Sequence, residues 1–237
     1  MGFDSFGTVN LTSTHMDSNE LSRKIATNLL NKKAVMVKVD PPFSWVSGIK
    51  SPVYCDNRKM ISFPEEREAV VEAFKELVEM KAAHGEMDLP DVIGGTATAA
   101  IPWAAFLAQK MDLPMIYIRP EKKEHGASKQ IEGYLESAQK VLIVEDLIST
   151  GGSSVKAAEA VREANGIVTD IFAIVSWELQ KSATRFAEAD IKLTNLTGFT
   201  DLIGLARERG DISDEMYETV MDFKNDTSGW GEKHGFA

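Results

Sequence analysis

The stretch that decides the fold is KVLIVEDLISTGGSSVKAAEAV, residues 140–161. Its first residues, 140–144, are apolar enough to predict a buried strand, and its end runs into a helical pattern over 153–164. Two carboxylates, Glu145 and Asp146, and a turn rich in glycine and hydroxyl groups lie between strand and helix. Because strand, short turn and helix form the repeating unit of parallel α/β sheets, the stretch predicts that fold class.

The composition of this turn predicts that it binds a phosphate group. Backbone N–H groups of a glycine-rich loop converge on an anion, and the N-terminus of the following helix adds a positive dipole end. A phosphate therefore fits at residues 150–154, and Glu145 and Asp146 can accept hydrogen bonds from the hydroxyls of a sugar. The combination predicts a site for ribose 5-phosphate, whereas each feature alone is equally typical of a structural turn. The turn lacks both the Gly-Lys-Ser/Thr of a P-loop and GxGxxG, which disfavours NTPases and dinucleotide-binding enzymes.

Alternating strand and helix patterns extend this prediction along the chain. Leu21, Ile25 and Leu29 have helical spacing, a second helical pattern starts at Pro64, and an alanine-rich helix follows GGTATAA. Further strands are predicted at 34–39, 91–93, 115–118, 167–176 and 191–193. We expect a mainly parallel central sheet flanked by helices, with ligands at the carboxyl ends of its strands. The remaining stretch, 180–223, carries no chemical motif and is assigned to packing.

The chain is expected to form one domain with a polar segment at each end. Residues 1–16 are expected to be a disordered leader, 17–225 a single domain, and 226–237 a frayed C-terminal tail. Either Met1 or Met16 can be the natural start.

Composition narrows the class of protein. The chain has 237 residues, 43% of them hydrophobic and 26% charged, which is typical of a globular domain. A single cysteine, Cys55, allows no intrachain disulfide, so we expect a cytoplasmic protein. The formal net charge of −10 disfavours binding to nucleic acid or to an anionic membrane.

Four segments together resemble a known enzyme family. VLIVEDLISTGGSS closely resembles the signature with which type I phosphoribosyltransferases bind 5-phosphoribosyl 1-pyrophosphate (PRPP). FSWVSGIKSPVYCDNR, GGTATAAIP and YIRPEKKEHGASKQIEG occur in the order and spacing of bacterial orotate phosphoribosyltransferases. The resemblance covers about 17–223 and implies the type I phosphoribosyltransferase fold with a small N-terminal hood. It also implies transfer of 5-phosphoribose from PRPP to orotate in pyrimidine (UMP) biosynthesis, giving orotidine 5′-monophosphate and pyrophosphate.

The resemblance implies roles for individual residues. Positions matching the PRPP-binding residues of the family are Arg119, Lys123, His125, Glu145, Asp146, Leu147, Ile148, Ser149, Thr150, Gly151, Gly152 and Ser153. Positions matching catalytic residues are Lys123, His125 and Asp146, and those near orotate are Ser149, Tyr54 and Cys55. A purely structural role for the Tyr54 ring is equally consistent with the sequence. Mg²⁺ is the implied cofactor, held mainly by PRPP and water and by no protein side chain.

The basic stretch around Lys123 is open to two interpretations. Its cations are Arg119, Lys122, Lys123, His125 and Lys129. Charge alone favours a solvated surface loop. Beside a PRPP site, however, a mobile cationic loop would neutralise the leaving pyrophosphate and exclude water. In the family such loops complete the neighbouring subunit's site, which implies a homodimer.

Four positions depart from the family pattern. Val46, Ala99 and Pro120 stand where relatives have basic residues, and Leu179 stands where some place an arginine near the base. Compensating cations are expected among Lys50, Arg58 and Lys122. Two alternatives stay open: a phosphoribosyltransferase for another nucleobase, and, less favoured by the acidic charge, a noncatalytic PRPP-binding regulator.

Overall fold

The computed structural model describes residues 18–45, 48–121 and 130–236. Its strands are β1 (Val35–Val37), β2 (Phe43–Ser44), β3 (Lys50–Ser51), β4 (Val53–Cys55), β5 (Val92–Thr96), β6 (Met115–Ile118), β7 (Ile131–Glu132), β8 (Val141–Ile148), β9 (Asp170–Ser176) and β10 (Lys192–Gly198). Its helices are α1 (Ser18–Asn31), α2 (Pro64–Ala83), α3 (Ile101–Met111), α4 (Gly152–Glu163), α5 (Gln180–Glu188), α6 (Phe199–Glu208), α7 (Asp214–Asn225) and α8 (Trp230–Lys233), with a 3₁₀ helix at Asn57–Ser62.

The centre of the fold is a six-stranded sheet with the order β10-β9-β8-β5-β6-β7. Neighbouring strands run parallel except for β7, which pairs antiparallel with β6. The predicted α/β class with a mainly parallel central sheet is therefore confirmed. The carboxyl ends of β5 and β8 lie side by side at the centre of the sheet, where the strand order changes direction.

Strand β8 is longer than predicted. Its pairing with β5 stops at Val144, but its pairing with β9 continues to Ile148, with Glu145 opposite Ala173. The two carboxylates therefore lie within the strand rather than in the turn after it. Strand β10 is also longer than the predicted 191–193, because backbone pairing with β9 extends through its polar residues to Gly198.

Helices cover both faces of the sheet, as expected. Within β8 the side chains alternate, so Leu142 and Val144 join the larger core under α1, α2, α3 and α6. Val141 and Ile143 face the smaller core under α4 and α5. In the part of the chain that the structure describes, no helix is long and apolar enough to cross a membrane.

The segment between α1 and α2 forms the small hood implied by the resemblance. Strand β1 pairs antiparallel with β4, and β2 pairs antiparallel with β3 in a second two-stranded sheet. The ring of Trp45 contacts that of Phe223 edge to face, with centroids 5.5 Å apart. The hood is thus attached to the main domain through an aromatic contact with α7.

The expectation of a frayed C-terminal tail is wrong for residues 226–236. Trp230 of α8 is completely buried, and its ring contacts those of Phe223 and Phe236, the latter stacked at 5.6 Å. The indole N–H of Trp230 also donates a hydrogen bond to the Thr219 carbonyl at 2.8 Å. Burial of two aromatic rings outweighs the polar composition of the segment. The leader at 1–16, with its alternative start, lies outside the described residues.

Candidate active site

Glu145 lies near the end of β8 and is only 6% exposed. Its Oε1 accepts a hydrogen bond from Thr96 Oγ1 at 2.6 Å, and its Oε2 accepts one from Ser154 Oγ at 2.9 Å. Burial, together with the neighbouring charge of Asp146, raises the pKa of Glu145 to about 7. Because Thr96 ends β5 and Ser154 belongs to the first turn of α4, this carboxyl group joins three elements of the site.

Asp146 points to the opposite face of β8, since successive side chains of a strand alternate. The Nδ2 of Asn57 donates a hydrogen bond to the Asp146 carbonyl oxygen at 2.6 Å, which ties β8 to the 3₁₀ helix. Burial raises the pKa of the Asp146 carboxyl group, and it also raises that of the Cys55 thiol, with the Asp146 charge as the next cause. The structure therefore brings Asp146, a predicted PRPP residue, together with Cys55, a predicted orotate residue.

The other predicted orotate residues border the same region. Tyr54 precedes Cys55 in β4, is half-buried, and has its ring centroid 5.5 Å from that of Phe43. Ser149 directly follows β8. Cys55 Sγ contacts Asn57 Oδ1 at 3.4 Å, so the hood is connected to the end of β8 through Asn57.

The turn from β8 into α4 requires a glycine at position 151. Gly151 has a φ of +75°, a conformation that strains residues with a Cβ atom. A Cβ atom on Gly151 would also lie 2.8 Å from Phe186 Cε2. A Cβ atom on Gly152 would lie 2.9 Å from Arg185 Nη1. The Gly-Gly pair thus allows α5 to pack directly against the turn that is predicted to hold a phosphate.

Arg185 is a residue of this region that the sequence did not reveal. Its Nη1 donates hydrogen bonds to the Thr150 carbonyl oxygen at 2.9 Å and to Thr150 Oγ1 at 3.0 Å. The stretch 180–223, which carries no motif, therefore contributes a cationic side chain that contacts this turn. Arg185 stands 35 positions beyond Thr150 in the chain, and no local motif marks it.

A cavity of about 490 Å³ opens beside the turn. It is lined by Thr96, Ala97, Ile118, Arg119, Pro120, Glu121, Gly152, Ser153, Lys156, Ala157 and Arg185. Three of these residues are cations and one is an anion, an excess of positive charge in a chain whose net charge is −10. Arg119, a predicted PRPP residue, lies on this cavity, with its Nη1 3.6 Å from Glu132.

The remaining sequence predictions divide into two groups. Lys122, Lys123, His125 and Val46 lie outside the described residues. The described positions are those where family cations are missing, Ala99, Pro120 and Leu179, and of these Leu179 is buried in the apolar core.

The two described candidates for compensation already have partners. Arg58 Nε pairs with Asp56 Oδ1 at 2.7 Å, and Lys50 Nζ donates to Ser44 Oγ at 3.4 Å. The contact of Lys50 with Ser44 is therefore weaker than the ion pair of Arg58 with Asp56.

Predicted residues Leu147 and Ile148 belong to β8, and the side chain of Ile148 is buried. Because its side chain is buried, Ile148 can contact a ligand through its backbone and not through its side chain. Its carbonyl oxygen already accepts a hydrogen bond from the Trp177 N–H at 2.8 Å.

Comparison with known proteins agrees with this arrangement. Residues 67–193 match the model of the phosphoribosyl transferase domain family. Over 212 residues the chain is 43% identical to the orotate phosphoribosyltransferase of Listeria monocytogenes, covering 90% of this chain and 99% of the relative. The structure of orotate phosphoribosyltransferase from Aeropyrum pernix matches with a TM-score of 0.67 and 25% identity, covering 80% of this chain and 99% of that one. UMP synthase of Leishmania donovani matches with a TM-score of 0.72 and 26% identity over 87% of this chain, which spans 43% of that longer protein. This chain belongs to the orotate phosphoribosyltransferase family.

Proposed function

We propose that this chain transfers the 5-phosphoribosyl group of PRPP to N1 of orotate, giving orotidine 5′-monophosphate and pyrophosphate on the route to UMP. The observation that carries the proposal is the end of β8. There a glycine-rich turn opens α4, a half-buried carboxylate, Asp146, faces the hood, and a cavity with three cations adjoins the turn. A sugar phosphate needs donors for its phosphate and acceptors for its hydroxyls, and this edge of the sheet offers both.

Each part of PRPP has a matching group in the chain. The 5-phosphate binds to the backbone of residues 149–153 and the N-terminus of α4. Asp146 accepts hydrogen bonds from the ribose hydroxyls, while Glu145, already bonded to Thr96 and Ser154, supports the strand beside it. Arg119 lies on the cavity at the carboxyl end of β6, where it can reach the pyrophosphate.

The reaction breaks the bond between C1 of ribose and the pyrophosphate oxygen, forms a bond from C1 to N1 of orotate, and releases the N1 proton of orotate. Positive charge develops on the ribose ring, as in other displacements at an anomeric carbon. Asp146 stabilises that charge, and Arg119, Lys123 and His125 stabilise the departing pyrophosphate. Lys123 and His125 take these roles from the family resemblance.

Mg²⁺ is part of the proposal. Within the described ranges, no three carboxylate, histidine or cysteine side chains come together as a metal site. The ligands would be oxygens of PRPP and water, as the resemblance implies. Asp146 fits a position beside such an ion, because burial raises its pKa and a nearby cation would offset the cost of ionising it. When bound, the ion neutralises charge on the leaving pyrophosphate.

The proposed base site lies between the hood and the end of β8, at Ser149, Tyr54 and Cys55. Orotate carries a carboxylate, and Leu179 cannot bind it because its side chain is apolar and buried. Lys50 of β3 is the candidate for that contact, since among the described residues its ammonium group makes a long hydrogen bond to Ser44 and no ion pair.

The remaining alternative is another nucleobase, and a parallel assay separates the two. Orotate, uracil, hypoxanthine and adenine are each incubated with PRPP and Mg²⁺, and loss of base is followed by absorbance and by chromatography of the nucleotide product. We expect turnover with orotate alone. Turnover with a different base would reassign the substrate while keeping the PRPP site, and no turnover with any base would overturn the enzymatic proposal.

We further propose that the protein acts in the cytoplasm as a homodimer in which the basic loop of one subunit completes the site of the other. The single cysteine supports the location, and the family resemblance supports the homodimer. Neither nucleic acid nor a membrane is a proposed partner.

A further inference from the structure

We propose that Arg185 is a positioning residue for the 5-phosphate: it holds the Thr150–Gly151 peptide so that its N–H faces the anion, and it adds positive charge behind the turn. This inference rests on the proposed PRPP site and assigns a function to α5. Arg185 is half-buried, and the two hydrogen bonds from its Nη1 end on the carbonyl oxygen and the hydroxyl of Thr150.

The geometry of the peptide bond supports this role. In a trans peptide the C=O and the following N–H point in opposite directions. When Arg185 binds the Thr150 carbonyl at 2.9 Å, that oxygen turns toward α5 and the Gly151 N–H turns away from it. Without Arg185 the carbonyl would be free to rotate toward the phosphate, where its negative end would repel the anion.

Arg185 packs closely against the glycine pair of the turn. Its Nη1 occupies the space where Gly152 lacks a Cβ atom, with a separation of 2.9 Å from the ideal Cβ position. The neighbouring residue, Phe186, occupies the corresponding space at Gly151. The two glycines therefore leave room for Arg185 and Phe186 of α5 to pack directly against the turn.

Charge provides an independent argument. Within the described ranges, the hydrogen bonds of Arg185 end on neutral oxygens of Thr150 rather than on a carboxylate, so these bonds do not cancel its charge. Arg185 lines the 490 Å³ cavity with Lys156 and Arg119. This side of the site has Ala99 and Pro120 at positions where the family resemblance implies basic residues. Arg185 and Lys156 therefore restore positive charge from α5 and α4.

The test compares Arg185→Gln, Arg185→Lys and Lys181→Gln with the wild type. Lys181 is the matched control, because it is an exposed cation on the same helix that does not line the cavity. Binding of ribose 5-phosphate is measured by calorimetry, and KM for PRPP and kcat are measured with orotate. Far-UV circular dichroism and thermal unfolding verify that each variant is folded.

We expect Arg185→Gln to weaken ribose 5-phosphate binding and to raise KM for PRPP by about 10-fold or more, as for loss of charge-assisted hydrogen bonds. At saturating PRPP, kcat should stay within about 3-fold of the wild type, because the group acts on phosphate binding and not on the reacting bond. Arg185→Lys should recover part of the affinity, and Lys181→Gln should leave it unchanged.

Two results would overturn the inference. One is a folded Arg185→Gln protein that binds ribose 5-phosphate as tightly as the wild type. The other is an equal loss in Arg185→Gln and Lys181→Gln, which would indicate a general effect of net charge. Because ribose 5-phosphate contains no base, the binding measurement stands even if orotate is the wrong substrate. If the wild type turns over orotate and Arg185→Gln is unaffected, the role of Arg185 is overturned while the proposed function stands.

Discussion

At the scale of single residues, the buried carboxyl group of Glu145 combines two opposing requirements. Its hydrogen bonds to Thr96 and Ser154 connect β5, β8 and α4, yet burial disfavours its ionised form. A carboxyl group whose pKa is higher in the folded than in the unfolded state binds its proton more tightly when folded. Ionisation of Glu145 therefore destabilises the fold.

The raised pKa of Glu145 makes the stability of the fold depend on pH. The pKa of Glu145 rises from its ordinary value of 4.5 to about 7, so its contribution to the free energy of unfolding falls as pH rises across that window and is constant above it. Glu145→Gln cannot ionise. We expect it to gain stability relative to the wild type between pH 4.5 and pH 7, by on the order of 3 kcal/mol.

Urea unfolding of both proteins at several pH values measures this difference. Taking the difference between the two proteins removes the contributions of titrating groups away from Glu145, among them Asp56 and Glu178, whose pKa values are lowered in the fold. The neighbouring Asp146 does not cancel in this way, because its titration is coupled to that of Glu145. A difference that does not change with pH would show that Glu145 titrates normally.

The second prediction at this scale concerns the positive φ of Gly151. Gly210 is a matched control, because its φ of +74° is almost the same as the +75° of Gly151, but a Cβ atom there would meet nothing within 4 Å. We expect Gly210→Ala to cost about 1–2 kcal/mol, the price of a left-handed residue with a side chain. Gly151→Ala should cost clearly more, because its Cβ would lie 2.8 Å from Phe186.

Denaturant unfolding of the two alanine variants provides the comparison, and KM for PRPP provides a second readout. Gly151→Ala should raise that KM, and Gly210→Ala should not. Equal losses of stability in the two variants would mean that α5 does not press against the turn.

At the scale of elements, α8 links the end of the chain to the hood. Trp230 packs on Phe223, and an ideal Cβ on Gly231 would lie 2.8 Å from Lys50 Cβ in β3. We expect Trp230→Ala to lower the free energy of unfolding by about 3–5 kcal/mol, as for other large buried aromatic residues. It should also raise KM for orotate more than KM for PRPP, because the hood covers the proposed base site.

Tyr134→Ala is the control for this variant, since Tyr134 is 76% exposed. We expect it to change stability by less than about 0.5 kcal/mol. If Trp230→Ala and the wild type unfolded at nearly the same urea concentration, the tail would contribute little to stability. That result would support the frayed tail that its composition suggests.

The pattern of apolar residues predicted some elements of the fold and not others. Strands and helices with strong apolar periodicity, such as α2, α4 and β9, were predictable because a buried face imposes that pattern. The extension of β8 through its two carboxylates was not, since it depends on pairing with β9, and such pairing leaves no trace in local composition. The tail was misjudged because its two aromatic residues are surrounded by polar and glycine residues.

The candidate site likewise contains residues that the sequence could predict and residues that it could not. The turn at 149–153 and its two carboxylates are contiguous in sequence, so their chemistry could be inferred from residue types and spacing alone. Arg185 and Lys156 join the site through packing of helices against the turn, which single-sequence reasoning does not resolve. The family resemblance did not reveal Arg185, because it matches no motif of the family.

At the scale of the whole molecule, the proposed dimer makes a prediction about mixed subunits. Lys123→Ala and Asp146→Asn should each lower turnover by orders of magnitude, since one removes a cation from the leaving group and the other the ribose carboxylate. If the basic loop acts in the neighbouring site, a hybrid of the two variants contains one intact site. Random mixing should then restore about a quarter of wild-type activity, because half of the dimers are hybrids with one working site each.

The variants are mixed after reversible dissociation, and sedimentation verifies the dimer. If the loop serves its own subunit, every site in the mixture carries one substitution and activity stays at the level of the single variants. Recovery in the mixture would establish both the dimer and the exchange of loops.

The central claim is that the turn after β8 binds the phosphate of a phosphorylated ribose. A crystal structure of the protein with PRPP and Mg²⁺ tests it most directly. We predict the 5-phosphate within hydrogen-bonding distance of the backbone N–H groups at 150–154, with the ribose hydroxyls at Asp146 and Arg185 still bonded to the Thr150 carbonyl. PRPP bound elsewhere, with this turn empty, would contradict the account.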